Sequence, residues 1–258
     1  MLNSPPVIIF GNPRSGTRMC ATVLNVHPDI CITDEFYNVE MLLNLANRQI
    51  SSFLSKRVDE DSIPLRKELL VKNYWTLRCT FDQIEKSHKA VIIGNKTPRA
   101  EKHYQTYEEI FSINKPIYIY CARNAYDVLR SIKNLKNIQW NKLPFKDLFE
   151  NYKNSYRIYT EIKEKYPDRI IFINVDKLDK LQPFEVYRPI FDILKLKYNA
   201  DFIECINRIS PQNTLEKVKK VIKDSSPVEE LTVDEEEFIS NCHEYKKIED
   251  QFLESENS

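Results

Sequence analysis

Apolar residues along this chain fall in two rhythms. Short unbroken runs, VIIF (7–10), AVII (90–93), IYIYC (117–121) and IIFINV (170–175), are rich in β-branched and aromatic residues and read as buried strands. Between them apolar positions recur at helical spacing over about 17–26, 40–55, 65–87, 100–112, 125–135, 145–166 and 183–195, with a last such stretch at about 234–253. Strands separated by helices predict an α/β fold, a parallel β-sheet flanked by helices on both faces. The proline-containing segments at 142–144 (Lys-Leu-Pro) and 224–227 (Asp-Ser-Ser-Pro) read as loops rather than domain boundaries. A single domain over residues 1–258 is therefore expected, closed by an acidic helix at about 234–253.

Composition narrows the function classes. The net charge is zero, so nothing global suggests nucleic acid. The charge is unevenly spread: from Asp224 onward there are twelve acidic and two basic residues, a local charge of −10, which leaves +10 on the rest of the chain. A solvated acidic helix accounts for much of this, and the basic remainder suits an anionic ligand. The six cysteines form no C-x-x-C pair and the four histidines show no metal-ligand spacing, which reads as free thiols in a reducing compartment and no metal site. No apolar run reaches membrane-spanning length, and MLNSPPVIIF lacks the basic segment and long apolar core of a secretion signal. The expectation is a cytoplasmic protein without a membrane span.

Two of the three glycines, Gly11 and Gly16, stand in one stretch, VIIFGNPRSGTRMCATVL (7–24). A buried strand running through a glycine-bearing turn into a helix forms an anion cradle. The first N–H groups of the helix have no intrahelical partner, the helix dipole is positive there, and glycine lets the backbone approach a ligand. Arg14 adds a charged fork suited to phosphate or sulfate oxygens. The spacing of Gly11 and Gly16 fits the ATP-binding G-x-x-x-x-G-K-[ST] pattern. The lysine position, however, is Thr17 and the hydroxyl position is Arg18, so the phosphate-binding cation and the Mg²⁺-binding hydroxyl are both absent.

PRSGT (13–17) resembles the 5′-phosphosulfate loop of sulfotransferases that use 3′-phosphoadenylyl sulfate (PAPS), usually P-[RK]-S-G-T-[TS]. Arg18 stands where that pattern has a second hydroxyl. IYIYCARNAYDVLRSIKN (117–134) resembles the family's 3′-phosphate segment, with Arg123 at the end of a strand and Ser131 two turns into the next helix, so that both can converge on one phosphate. Ala125 replaces the usual Pro or Gly, and Asp127 reads as a capping or dipole residue. HPDICITDEF (27–36) resembles the segment of tyrosylprotein and carbohydrate sulfotransferases that carries a glutamate general base, which places that role on Glu35, with Asp34 as its rival and His27 as a structural residue of the turn. VIIGNKTPRAEKHY (91–104) is similar to the NK[TD]P segment of the same relatives, whose lysine acts on the transferring group; here it is Lys96, just after a strand. FINVDKL (172–178) is more weakly similar to a strand ending in Y-E-D-L.

The resemblance spans residues 7 to 178. It implies a P-loop-type, sulfotransferase-like fold and sulfuryl transfer from PAPS as co-substrate, without a metal, to a hydroxyl or amine acceptor, small molecule or carbohydrate. It also implies a donor site of Arg14, Ser15, Gly16, Thr17, Arg18, Arg123 and Ser131, and catalysis by Glu35, Lys96 and Arg14. Adenine contacts from Lys217, Lys219 or Lys220 are open against a solvated helix face, and His103 and His27 are the next candidates for the base. Two other classes remain: a P-loop phosphotransferase with a degenerate loop, and a nucleotide-binding protein that performs no chemistry, which Arg18 favours.

Overall fold

In the computed structural model, residues 4–35, 39–54, 60–78, 89–135, 142–210, 217, 220 and 227–256 are described. Five strands, β1 (Val7–Gly11), β2 (Ile30–Asp34), β3 (Ile92–Lys96), β4 (Ile117–Ala122) and β5 (Ile170–Asn174), form one sheet in the order β2-β3-β1-β4-β5. Every pairing is parallel, with Val7 opposite both Gly94 and Ile117. The helices are α1 (Thr17–Leu24), α2 (Val39–Leu54), α3 (Ile63–Arg78), α4 (Tyr104–Ile110), α5 (Ala125–Lys133), α6 (Phe145–Lys165), α7 (Pro183–Ile193), α8 (Ala200–Asn207), α9 (Val233–Ser240) and α10 (His243–Glu256).

Because side chains alternate along a strand, each strand feeds two cores. Ile8, Phe10, Tyr118 and Tyr120 point into a core built with α2 to α6, α9 and α10. Val7, Ile9, Ile119 and Cys121 point into one built with α1, α7 and α8. A sheet covered on both faces must be apolar on both, which is why its strands read as continuous apolar runs rather than alternating ones.

The α/β fold with helices on both faces is as expected; several boundaries are not. The strand expected at 90–93 is shifted to Ile92–Lys96, so Lys96 is its last residue rather than a loop residue after it. ICITD was not expected as a strand, yet it pairs with β3 over its full length. The helix expected at 65–87 is described as Ile63–Arg78, and residues 79–88 lie outside the described residues. The stretch expected at 100–112 opens with a 3₁₀ turn, Ala100–His103, before α4. The acidic C-terminal helix is two: α9 starts at a capping box between Thr232 and Glu235 and stops at Asn241, and α10 begins two residues later. Helix α8 was not anticipated.

A parallel sheet delivers the C-terminal ends of all its strands to one edge, where α/β proteins bind ligands. Gly11, Asp34, Lys96, Ala122 and Asn174 end the five strands there, and the candidate residues of the sequence follow them directly.

Candidate active site

The glycine-bearing turn leaves β1 at Gly11, whose φ of 143° lies outside the range of ordinary residues and whose missing Cβ would stand 2.2 Å from the Cys121 carbonyl oxygen. Gly16 (φ 80°) precedes α1, and a Cβ there would meet Val175 at 2.8 Å. Both glycines are therefore fixed by close approach as well as by conformation. Within the turn Ser15 donates its hydroxyl to the Asn12 carbonyl (2.6 Å), and Asn12 donates its amide to the Tyr152 carbonyl (3.3 Å). The residue before α1 is a glycine with no side chain to cap it, so the turn directs uncapped helical N–H groups at the sheet edge.

Arg14 is itself left-handed, with φ 76°. Such a conformation is uncommon for a side chain-bearing residue and clusters at functional turns. Its Nε donates to Ser131 Oγ on α5 at 2.8 Å. Burial lowers the pKa of Arg14 below the usual guanidinium range, and the charges of Arg123 and Arg18 lower it further. Three arginines, from the turn, from α1 and from the end of β4, thus sense one another across the sheet edge. Thr17 is the buried first residue of α1.

Arg123 leaves β4 beside two carboxylates, donating from Nη2 to Asp127 Oδ2 (2.7 Å) and lying 3.7 Å from Asp176 Oδ1. Its carbonyl accepts from Tyr152 Oη (2.8 Å). Asn124 caps α5 by accepting from the Asp127 N–H at 2.9 Å, so Asp127 is a first-turn residue as expected, with a carboxylate that also serves Arg123 and Arg130. Burial raises the pKa of Asp176, which accepts from the Asn124 N–H (2.8 Å) and side chain (3.0 Å). The direct link to Ser131 comes from Arg14 rather than from Arg123.

A second cluster forms where β2 and β3 end side by side, with Asp34 opposite Lys96 in register. The Lys96 side chain is 2% exposed, and Nζ donates to Glu35 Oε1 (2.8 Å) and pairs with Asp34. Asp34 is also held by Arg18 at 2.8 Å. Glu35 has φ 50°, and its N–H donates to the Lys96 carbonyl at 2.7 Å, which folds the acid back over the lysine. Arg18 therefore serves Asp34, although the resemblance assigned it to the donor. Lys96 joins the two rival acids rather than choosing between them.

His27 is buried and structural: its Nδ1 accepts from the Asp29 N–H (3.2 Å), Nε2 lies 3.2 Å from the Lys197 carbonyl, and its ring stands edge-on to Phe202. His103 is half-buried in the 3₁₀ turn before α4. Lys217 donates to Ser210 (3.2 Å), Lys220 is exposed, and Lys219 lies outside the described residues. Two residues that sequence reasoning passed over belong to this edge. Asp176 lies in the segment with the weakest motif similarity. Arg99, three residues after Lys96, has φ 64° and donates its N–H to the Gly11 carbonyl (3.0 Å), so the chain after β3 crosses the base of the turn; burial lowers its pKa. The signal for Arg99 was its place in NKTPRA, beside the lysine singled out.

This geometry meets the comparisons. A model of the Sulfotransferase family matches residues 5–200, and the chain belongs to that family. Solved structures share its fold at low identity. The sulfotransferase STF9 from Mycobacterium avium aligns at TM-score 0.51 and 14% identity, over 88% of this chain and 78% of that one. A sulfotransferase domain from the Synechococcus PCC 7002 olefin synthase aligns at TM-score 0.51 and 15% identity, over 87% and 96%. A sulfotransferase domain from the curacin biosynthetic pathway aligns at TM-score 0.56 and 15% identity, over 98% and 99%. No curated protein matches the chain in sequence.

Proposed function

We propose that this sulfotransferase-family protein moves a sulfuryl group from PAPS to a hydroxyl or amine acceptor, carbohydrates among the candidates. The observation that supports the donor most directly is the cluster of Arg14, Arg18 and Arg123 around the uncapped start of α1. Like charges kept this close are costly, and an anion relieves them. PAPS brings an activated sulfuryl group together with two phosphate-bearing positions. The turn and Arg14 hold the 5′ end, where N–H groups and a guanidinium stabilise charge that grows on the leaving oxygen. Arg123 and Ser131 hold the 3′ end. Lys96 stabilises the transferring group, and Glu35 accepts the acceptor's proton as general base.

The acids are arranged for that division of labour. Asp34 is held by two cations, Arg18 and Lys96, whereas Glu35 is paired with Lys96 and is 54% exposed at its side chain, open to an incoming acceptor.

The test is calorimetry with 3′,5′-ADP and 5′-AMP. A charge-assisted contact to the 3′-phosphate is worth about 1.5–3 kcal/mol, so 3′,5′-ADP is expected to bind at least ~10-fold more tightly, and Arg123→Ala to remove much of that difference. Equal affinities sink the donor assignment. Binding should also survive excess EDTA, because Thr17 and Arg18 replace the lysine and the hydroxyl of a Mg-nucleotide loop. Affinity lost with EDTA and restored by Mg²⁺ favours a phosphotransferase instead.

A further inference from the structure

Arg123 is the residue that motif similarity assigns to the 3′-phosphate, yet its charge is already met by Asp127 and Asp176. Arg14, assigned to the 5′ end, reaches across to Ser131 on the 3′ side. We propose that Arg14 is shared between the two ends of the nucleotide: through Ser131 it reads the 3′-phosphate, and it makes recognition of that phosphate conditional on the shape of the 5′ loop. This rests on the donor reading above.

Three observations carry the proposal. First, the contact to Ser131 Oγ is made by Arg14 Nε, one of five N–H donors, and the other four sit on the two terminal amino groups of a planar fork. Second, Ser131 is buried and uses its oxygen as acceptor, while among the described residues its own O–H meets no acceptor. A hydroxyl polarised by a guanidinium and left with a proton to give is a donor for an anionic oxygen beside it. Third, the neighbouring charges that act on Arg14 are two further cations, Arg123 and Arg18, so the positive potential peaks at Arg14 rather than at the carboxylate-flanked Arg123. The left-handed backbone of Arg14 fits the same role. A residue in the middle of the turn reaches α5, 117 positions away in sequence, from a conformation that ordinary helical or extended backbone does not supply.

The geometry also explains why lysine cannot substitute. An ammonium is a point donor and cannot engage Ser131 from one atom while presenting two others to a phosphate. The experiment is calorimetry with 3′,5′-ADP and 5′-AMP on the wild type, Arg14→Lys, Ser131→Ala and the double variant, each checked by thermal melting. The quantity read is the affinity ratio of the two nucleotides. In the wild type the charge-assisted contact is expected to set it at ~10-fold or more. Arg14→Lys and Ser131→Ala should each bring it to within a few-fold of one, and the double variant should fall no further, because both act through one contact. If Arg14→Lys weakens both nucleotides by the same factor and keeps the ratio, Arg14 serves the 5′ end alone and the proposal is overturned. If the two losses simply add, Ser131 acts without Arg14 and it is likewise overturned. A wild-type ratio of one removes the donor reading itself, which is a different result from either.

Discussion

A lysine ammonium removed from water needs counter-charge within contact distance. Lys96 has two, from adjacent residues of one strand end, and the choice between them is made elsewhere. Arg18 holds Asp34, so that acid has cations on two sides, while the left-handed turn at Glu35 leaves its carboxylate with Lys96 at 2.8 Å. Glu35→Gln preserves shape and hydrogen bonding but cannot take a proton, and should lower turnover of PAPS with any accepted acceptor by ~10²–10⁴-fold with little change in 3′,5′-ADP affinity. Asp34→Asn should cost far less. Reversed magnitudes move the base to Asp34. At this scale the sequence was informative about which residues gather, because spacing after a strand determines which edge they reach. Arg14, Glu35, Lys96, Arg123 and Ser131 could all be named from it. It could not show that Arg18 turns to Asp34 or that Arg14 reaches Ser131. Those contacts join side chains from different elements, and their direction is set by how α1 and α5 sit on the sheet.

The helix that carries Ser131 is held from outside the nucleotide edge. Asn134, just past the end of α5, is fully buried; its amide donates to the Arg130 carbonyl (2.9 Å) and the Glu229 carbonyl (2.8 Å), and its oxygen accepts from the Glu229 N–H (2.8 Å). Lys133 pairs with Glu235 (2.8 Å), and at the other end of the helix the Ala125 N–H donates to Tyr245 Oη (3.3 Å). Asn134→Ala strands the two Glu229 backbone groups, a loss of about 1–3 kcal/mol, seen as a lower urea midpoint with an unchanged slope. A midpoint equal to the wild type's would show that water replaces the amide at no cost. Strand identity was legible wherever apolar runs were long enough. β2 was missed because its five residues end in two polar ones and gain their pairing only from β3. The break at Asn241 was missed because apolar spacing continues across it, while cap chemistry at Thr232 and Asn241 divides the stretch into two helices.

For the molecule as a whole, the two-sided sheet leaves little room for polar groups, and one ionisable group is sealed inside. Glu101 has no exposed surface; Ser155 donates to its Oε1, Tyr120 Oη lies 3.2 Å from Ser155 Oγ, and Oε2 has no partner among the described residues. Burial raises its pKa against the opposing pull of Ser155, its own backbone, Lys102 and Arg99. The folded state therefore holds this proton more tightly than the unfolded chain does. That contribution to stability is full below the unfolded-state carboxyl pKa, near ~4.3, and is lost as pH rises toward the folded value. Glu101→Gln, which keeps an acceptor for Ser155, should flatten this decline, so its melting temperature relative to wild type should rise between about pH 5 and pH 8. A parallel pH dependence in both proteins would refute a protonated Glu101. The charge asymmetry read from the sequence also takes a definite form at this scale: part of the acidic surplus after Asp224 is committed to Arg130, Lys133 and Arg157. The contact between Tyr245 and Ala125 spans 120 residues. On the ribosome, a nascent chain that has emerged only as far as Ala200 already contains the glycine turn, Lys96, Arg123 and Ser131. It lacks the hydroxyl at the front of α5 and the backbone that grips Asn134 at its rear. Nucleotide can therefore serve as a folding ligand only late in translation, once α9 and α10 have left the exit tunnel and closed on α5.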